Sequence, residues 1–180
     1  MTLLNLKSKK RFGAAFVSLI LILTALLNLT SCGVYSFTGA SVPEHLKTIA
    51  IPIADDRSGT AEPGLRENLT NQLIQRFIED NTLQVTEKLK ADALLECTIV
   101  SLSDAPAIVT AGENVDSRRM TVAVKVVYRD LVKRKTIYEK TFTNYFDYAS
   151  TNPVDGRSNA ITEATKLICE DILLDTVSGW

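Results

Sequence analysis

The stretch RRMTVAVKVVYRD, Arg118–Asp130, alternates between two chemistries. Met120, Val122, Val124, Val126 and Tyr128 point one way; Arg119, Thr121, Ala123, Lys125, Val127 and Arg129 point the other. A strict period of two predicts a β-strand with one buried face. A turn around Val132–Lys135 returns the chain into TIYEKTFTNYFDYAS, Thr136–Ser150, which is rich in Tyr, Phe and Thr. Together they predict a long antiparallel hairpin.

Working back from the hairpin, KADALLECTIVSLSDAP (Lys90–Pro106) predicts another strand. Its Leu95, Cys97 and Ile99 alternate with Leu94, Glu96, Thr98 and Val100, and Ala107–Thr110 extends it past a bulge at Asp104–Pro106. Ala111–Ser117 reads as a flexible connection. LKTIAIPIADD predicts a strand over Lys47–Ile53, with Pro52 marking an edge or bulge and Asp55–Gly59 a loop. In AEPGLRENLTNQLIQRFIEDNT, Leu65, Leu69, Leu73 and Phe77 recur every four residues, and Ile74 and Ile78 widen the stripe of an amphipathic helix. Pro63 suits its first turn and Asn81 its C-terminal stop. Leu83–Thr86 is a short strand, expected to lie parallel to the first one across this helix. SNAITEATKLICEDILLDTV closes the chain as a second helix, with Ser158 as N-cap and a stripe of Ile161, Ala164, Ile168 and Ile172 joined by Cys169 and Leu173.

The order β-α-β-β-β-β-α with two amphipathic helices calls for one apolar sheet face to cover. The expected fold is an α/β two-layer sandwich: a mixed four- to five-stranded sheet with both helices packed on one face. The other sheet face is left to solvent or a partner.

The N-terminus is of a different kind. Lys7, Lys9, Lys10 and Arg11 precede Phe12–Leu29, an apolar run interrupted only by Ser18, Thr24 and Asn28. This reads as a secretory signal peptide; an uncleaved transmembrane anchor is the competing reading. Leu29-Thr30-Ser31-Cys32 resembles the lipobox of bacterial lipoproteins, in which the cysteine is acylated and becomes the mature N-terminus. The expected organisation is a signal peptide over residues 1–31, an acylated Cys32 with a tether over 32–44, and a single domain over 45–180. Removing the signal peptide takes four of the 20 basic residues and none of the 21 acids, leaving a net charge of −5. That balance argues against a nucleic-acid partner.

Catalytic chemistry is not visible. The only histidine, His45, reads as an exposed loop residue. No metal-ligand spacing, phosphate loop or Ser-His-Asp arrangement occurs, so neither an enzyme nor a cofactor is expected. Cys97 and Cys169 lie in apolar-periodic segments and read as buried free thiols, although an exported protein permits a bridge between them. The best candidate site is the polar face of the hairpin. Arg119, Lys125 and Arg129 alternate along it with Arg118 nearby, and Lys133, Arg134 and Lys135 cluster at the tip. Basic groups on a flat strand face can engage phosphates of a lipid head group; the alternative is protection against sheet aggregation.

Cys32-Gly33-Val34-Tyr35-Ser36-Phe37-Thr38-Gly39 resembles the CGY-x-h-x-G start of the LPS-assembly lipoprotein (LptE) family, with one extra residue between Gly33 and Tyr35. VPEHLKTIAIPIADDRSG, the helix with Leu69–Phe77, the Ala91-Asp92-Ala93 lead into a strand, the hairpin and the closing helix continue the likeness. The resemblance implies an outer-membrane, periplasm-facing, lipid-anchored protein. It implies a plug and assembly factor for the LptD β-barrel translocon that itself binds lipopolysaccharide, with Arg119, Lys125, Arg129, Lys133, Arg134 and Lys135 as the basic residues in the corresponding strand pair. A second reading comes from the strand-loop-helix over Ile49–Glu79, which also looks like the opening of periplasmic lipoproteins that activate a peptidoglycan synthase or form curli-type secretion pores. A third is a structural lipoprotein whose hairpin charges bind nothing specific.

Overall fold

Residues 42–60, 62–109 and 115–178 are described by a computed structural model. The expected signal peptide, Cys32 and most of the expected tether lie outside the described residues. The elements are β1 (Thr48–Ala50), β2 (Asp55–Asp56), α1 (Leu65–Asp80), β3 (Gln84–Val85), β4 (Ala93–Val109), β5 (Val115–Asp130), β6 (Lys135–Ala149) and α2 (Asp155–Ser178), with a 3-10 turn at Lys88–Lys90. They form one mixed sheet of six strands in the order β3-β1-β4-β5-β6, with β2 also on β4. β1 pairs in parallel with both β3 and β4, whereas β4-β5 and β5-β6 are antiparallel. The two-layer sandwich is as expected, with one strand more than the sequence suggested.

The extra strand comes from an interruption. The strand expected over Lys47–Ile53 stops at Ala50. Pro52 has no N–H to offer the ladder, and α1 takes both backbone groups of Ala54. The Ala54 N–H donates to Thr70 Oγ1 at 3.0 Å, and Arg66 Nε donates to the Ala54 carbonyl at 2.8 Å. The chain then rejoins the sheet at Asp55 and Asp56, opposite Thr98 and Ile99. The loop expected from Asp55 therefore begins two residues later.

Both helices cover the same face. Leu65, Leu69, Leu73 and Phe77 of α1 and Ile161, Ala164, Ile168 and Ile172 of α2 are buried against Leu95, Ile99, Val122, Val124 and Val126. Arg76 of α1 and Glu170 of α2 join the two helices through a 2.6 Å ion pair. The helix ends differ from expectation. Gly64, at φ +74°, is the N-cap of α1, so Pro63 precedes the helix rather than opening it. Asn81 does close it, in the left-handed conformation at φ +56° that Asn tolerates. α2 starts at Asp155, which puts Ser158 inside its first turn rather than at the cap.

β4 carries register shifts at Ile99/Ser101 and around Pro106–Val109, the second close to the bulge expected at Asp104–Pro106. Val115 is already strand, so the connection expected over Ala111–Ser117 is shorter at its far end. Cys97 and Cys169 are free and buried, and burial pushes both thiols up to about 12. No helix among the described residues is long and apolar enough to cross a membrane.

Candidate functional site

The hairpin register builds the open face. Arg119 stands opposite Asp147, Lys125 opposite Thr141, and Val127 opposite Glu139. On β4, Leu94 faces Arg129 and Glu96 faces Val127. Partners in a ladder share a face, so Arg119, Lys125 and Arg129 come together on the side away from the helices, as the alternation predicts.

None of the three is a bare charge. Arg119 holds Asp147 through two hydrogen bonds, Nε to Oδ1 at 2.7 Å and Nη2 to Oδ2 at 2.8 Å. Its guanidinium also lies 3.8 Å from the centre of the Tyr145 ring. The bond to Arg119 lowers the Asp147 pKa and raises that of Arg119. Lys125 Nζ sits 2.5 Å from Glu139 Oε1 and lowers the pKa of that carboxyl. Arg129 reaches Glu96 at 3.2 Å, and Lys88 approaches the other oxygen of Glu96 at 3.9 Å. These pairs are solvent-accessible, where an ion pair contributes at most about 1 kcal/mol. Exposed cations held this weakly can exchange a carboxylate for an incoming phosphate.

Between β2 and β5 the open face sinks into a groove of about 460 Å³. Arg57, Lys88, Lys125 and Arg129 stand around it together with the carboxylates Asp55 and Glu96, Asp55 lying 3.9 Å from Arg57, and Ile53, Val100 and Val127 are among its apolar lining. Basic groups beside aliphatic ones suit a ligand that is both anionic and fatty. Arg57 and Lys88 were not foreseen as neighbours of the hairpin. Arg57 arrives because β2 rejoins the sheet, and Lys88 because the 3-10 turn sits at the start of β4. The acidic partners Glu139 and Asp147 could have been found by pairing the two hairpin strands about the tip turn.

Arg118 belongs to the other face, with Met120. Its Nε donates to Asp104 Oδ1 at 2.8 Å, and Tyr148 Oη donates to Asp104 Oδ2 at 2.6 Å. Arg157, at the start of α2, pairs with Glu62 at 2.8 Å beside this group. The cluster fastens the far end of the hairpin to α2 and is separate from the open face.

The tip residues form a second surface. The turn runs over Leu131–Arg134, with Arg134 at φ +52°. Lys133, Arg134 and Lys135 are exposed. The Lys133 N–H donates to Asp130 Oδ1 at 2.7 Å, and the other oxygen of Asp130 meets His45 Nε2, also at 2.7 Å. His45 is therefore half-buried and engaged with the hairpin, not the exposed loop residue expected. Burial opposes ionisation of Asp130, but the Lys133 N–H and His45 outweigh it and hold its carboxyl below the usual range. Among the described residues, no group of three or more His, Cys, Asp or Glu is placed to hold a metal ion.

Similar folds occur in solved structures of very different sequence. Protein XCC0632 from Xanthomonas campestris matches with a TM-score of 0.57 at 12% identity, over 77% of this chain and 91% of that one. The hypothetical protein CT253 from Chlamydia trachomatis matches with 0.55 at 8% identity, over 71% and 94%. The rare lipoprotein B from Shewanella oneidensis matches with 0.50 at 13% identity, over 71% and 92%. These likenesses concern the fold alone. Sequence comparison finds no match among curated proteins. The family model described as "LptE: Lipopolysaccharide-assembly" matches residues 46–176, from just before β1 into the last turn of α2, and the chain therefore belongs to the LptE family.

Proposed function

We propose that this chain is a lipid-anchored outer-membrane subunit of lipopolysaccharide export, facing the periplasm and seated as a non-enzymatic plug in an LptD-like β-barrel. On this reading residues 1–31 are the signal peptide, Cys32 carries the acyl anchor, residues 32–44 are the tether and the domain follows. Family membership over nearly the whole domain is the observation that carries it.

The open sheet face supports lipopolysaccharide binding. Arg119, Lys125 and Arg129 present three cations along one strand, and the adjoining groove adds Arg57 and Lys88 beside aliphatic side chains. Phosphates of the glycolipid would displace the exposed carboxylates Asp147, Glu139 and Glu96, while acyl carbons lie against Ile53 and Val127. Lys133, Arg134 and Lys135 form a second basic surface at the end of the same hairpin.

Two experiments test the reading. The tagged chain, extracted from outer membranes in mild detergent, should bring down a large β-barrel protein; recovery without one counts against the plug. The triple variant Arg119→Gln, Lys125→Gln, Arg129→Gln should stay folded and lose on the order of tenfold in lipopolysaccharide affinity. Unchanged binding by the folded variant removes these residues from the site.

A further inference from the structure

The end of the sheet that carries the hairpin tip combines three observations. First, β1, β3 and β4 begin there, β5 ends there and β6 begins there. The Leu131 N–H donates to the Asp92 carbonyl at 2.8 Å, so the tip turn lies beside the segment that follows the Lys88–Lys90 turn. Each of these two turns projects an aliphatic side chain into solvent: Leu89 is 98% exposed and Val132 is 57% exposed. A single exposed aliphatic residue is ordinary, but two on adjacent turns at one end make a pair of apolar tips.

Second, the tips are set among cations. Lys88 and Lys90 flank Leu89, and Lys133, Arg134 and Lys135 follow Val132. Among the described residues the charged ends of Lys133, Arg134 and Lys135 form no ion pair. Three acids at this end are already engaged, while Glu44, next to His45, is exposed. Asp130 binds His45 and the Lys133 N–H. Asp92 binds the N–H groups of Lys47 and Thr48. Glu87 sits 3.3 Å from Lys90.

Third, the chain enters the domain here. His45 is pinned to Asp130 at the base of the tip turn, and Lys47 and Thr48 are pinned to Asp92. Nine residues lie between Cys32 and Val42, a reach of at most about 35 Å. An acyl chain on Cys32 keeps this entry point within that distance of a bilayer surface.

We propose that, before the chain takes its seat in a barrel, this end of the domain is a docking surface for a bilayer containing anionic phospholipid, with Leu89 and Val132 inserted at the headgroup level and Lys133, Arg134 and Lys135 on the phosphates. Aliphatic tips ringed by cations are the chemistry of interfacial attachment, and long basic side chains keep their heads in the polar layer while the tips go deeper. An acyl chain by itself anchors reversibly and leaves orientation free. The second contact fixes which end of the sheet faces the membrane. The proposal rests on Cys32 being lipidated only for the delivery of the domain to the surface.

The test uses the full chain carrying one added cysteine, Leu89→Cys, Val132→Cys or Val154→Cys, labelled with an environment-sensitive dye. Val154 is 77% exposed at the opposite end, just before α2. Cys97 and Cys169 are buried and do not compete for the dye. Labelled protein is placed in phosphatidylcholine vesicles with or without phosphatidylglycerol, with a spin-labelled lipid as quencher. The dyes at positions 89 and 132 should be quenched severalfold more with phosphatidylglycerol present, and the dye at 154 should stay in water. Lys133→Gln, Arg134→Gln and Lys135→Gln together, or high salt, should abolish that difference. Dyes at 89 and 132 that remain in water, equal quenching at 154, or insensitivity to the three glutamines overturn the proposal. So does quenching that appears only with lipopolysaccharide, or shielding that appears only when an outer-membrane barrel protein is added. Intact mass reports acylation of Cys32 separately, and an unacylated chain carrying Cys32→Ser, so that no second thiol takes the dye, is mixed with excess vesicles and scored by the same dyes.

Discussion

Asp92 stitches the start of β4 to β1. One of its oxygens accepts the Lys47 N–H at 3.0 Å, the Thr48 N–H at 3.0 Å and the Thr48 hydroxyl at 2.8 Å, and Thr48 Oγ1 in turn accepts the Asp92 N–H at 2.9 Å. The Lys47 N–H, followed by the Thr48 hydroxyl, holds its carboxyl below the usual range. Asp92→Ala should cost about 2 kcal/mol, the worth of hydrogen bonds to a charged group, measured as a lower urea midpoint with an unchanged slope. A carboxyl depressed in the folded state adds stability above its unfolded pKa and loses it as pH falls through the folded value. Asp92, with Asp130 and Asp147, should therefore make the domain lose stability below about pH 4. The Asp92→Ala variant should show a shallower loss over that range. The Ala91-Asp92-Ala93 segment could be seen in the sequence as the lead into a strand. That its acid clamps a strand more than forty residues earlier could not, because the pairing depends on β1 and β4 lying side by side.

The long β5 and α2 derive their stability from the same buried layer. Val122, Val124 and Val126 alternate inward, and Ile168 and Ile172 pack onto the helix-covered face. Ile168 is fully buried, so Ile168→Ala should cost about 2–5 kcal/mol through the lost transfer energy and the cavity, read by chemical denaturation. The same substitution should leave the open face and its ion pairs in place, seen as unchanged affinity for whatever that face binds under conditions where the variant is folded. Both elements were legible because their periods, two and about 3.6, are written in side-chain polarity. Their ends were less legible. Gly64 and Asp155 start the helices where neighbouring packing allows, and Pro63 and Ser158 offered local signals that the folded chain did not use. Thr165 and Thr176 are buried in α2 because each donates its hydroxyl to the carbonyl four residues back, at 2.7 Å, which hides a polar residue inside an apolar stripe.

For the domain as one body, the two buried thiols bear on redox behaviour. Cys169 Sγ lies 3.8 Å from the Leu69 carbonyl, and neither cysteine is bridged. Melting of the native protein should be the same with and without a reducing agent. Maleimide should label neither thiol until the protein unfolds, because burial removes both access and thiolate. A melting point lowered by reductant, or labelling of the folded protein, overturns this. The two faces of the sheet then divide the work. The helix-covered face supplies the core, and the open face supplies the surface on which charge is displayed.

Alternation in Arg118–Asp130 and the leucine stripe of α1 determined the sandwich, the side of the sheet left open, and the placing of Arg119, Lys125 and Arg129 on it. Those features are periodic, and polarity records them residue by residue. Only the tertiary structure decided that each of these cations already holds a carboxylate. Only it decided that β2 rejoins the sheet to bring Arg57 to the groove, that Arg118 meets Asp104 beside Tyr148, and that His45 and Asp92 close the end where the chain enters. Those outcomes depend on strand order and register, which bring together residues far apart in the chain. No local pattern encodes that distance.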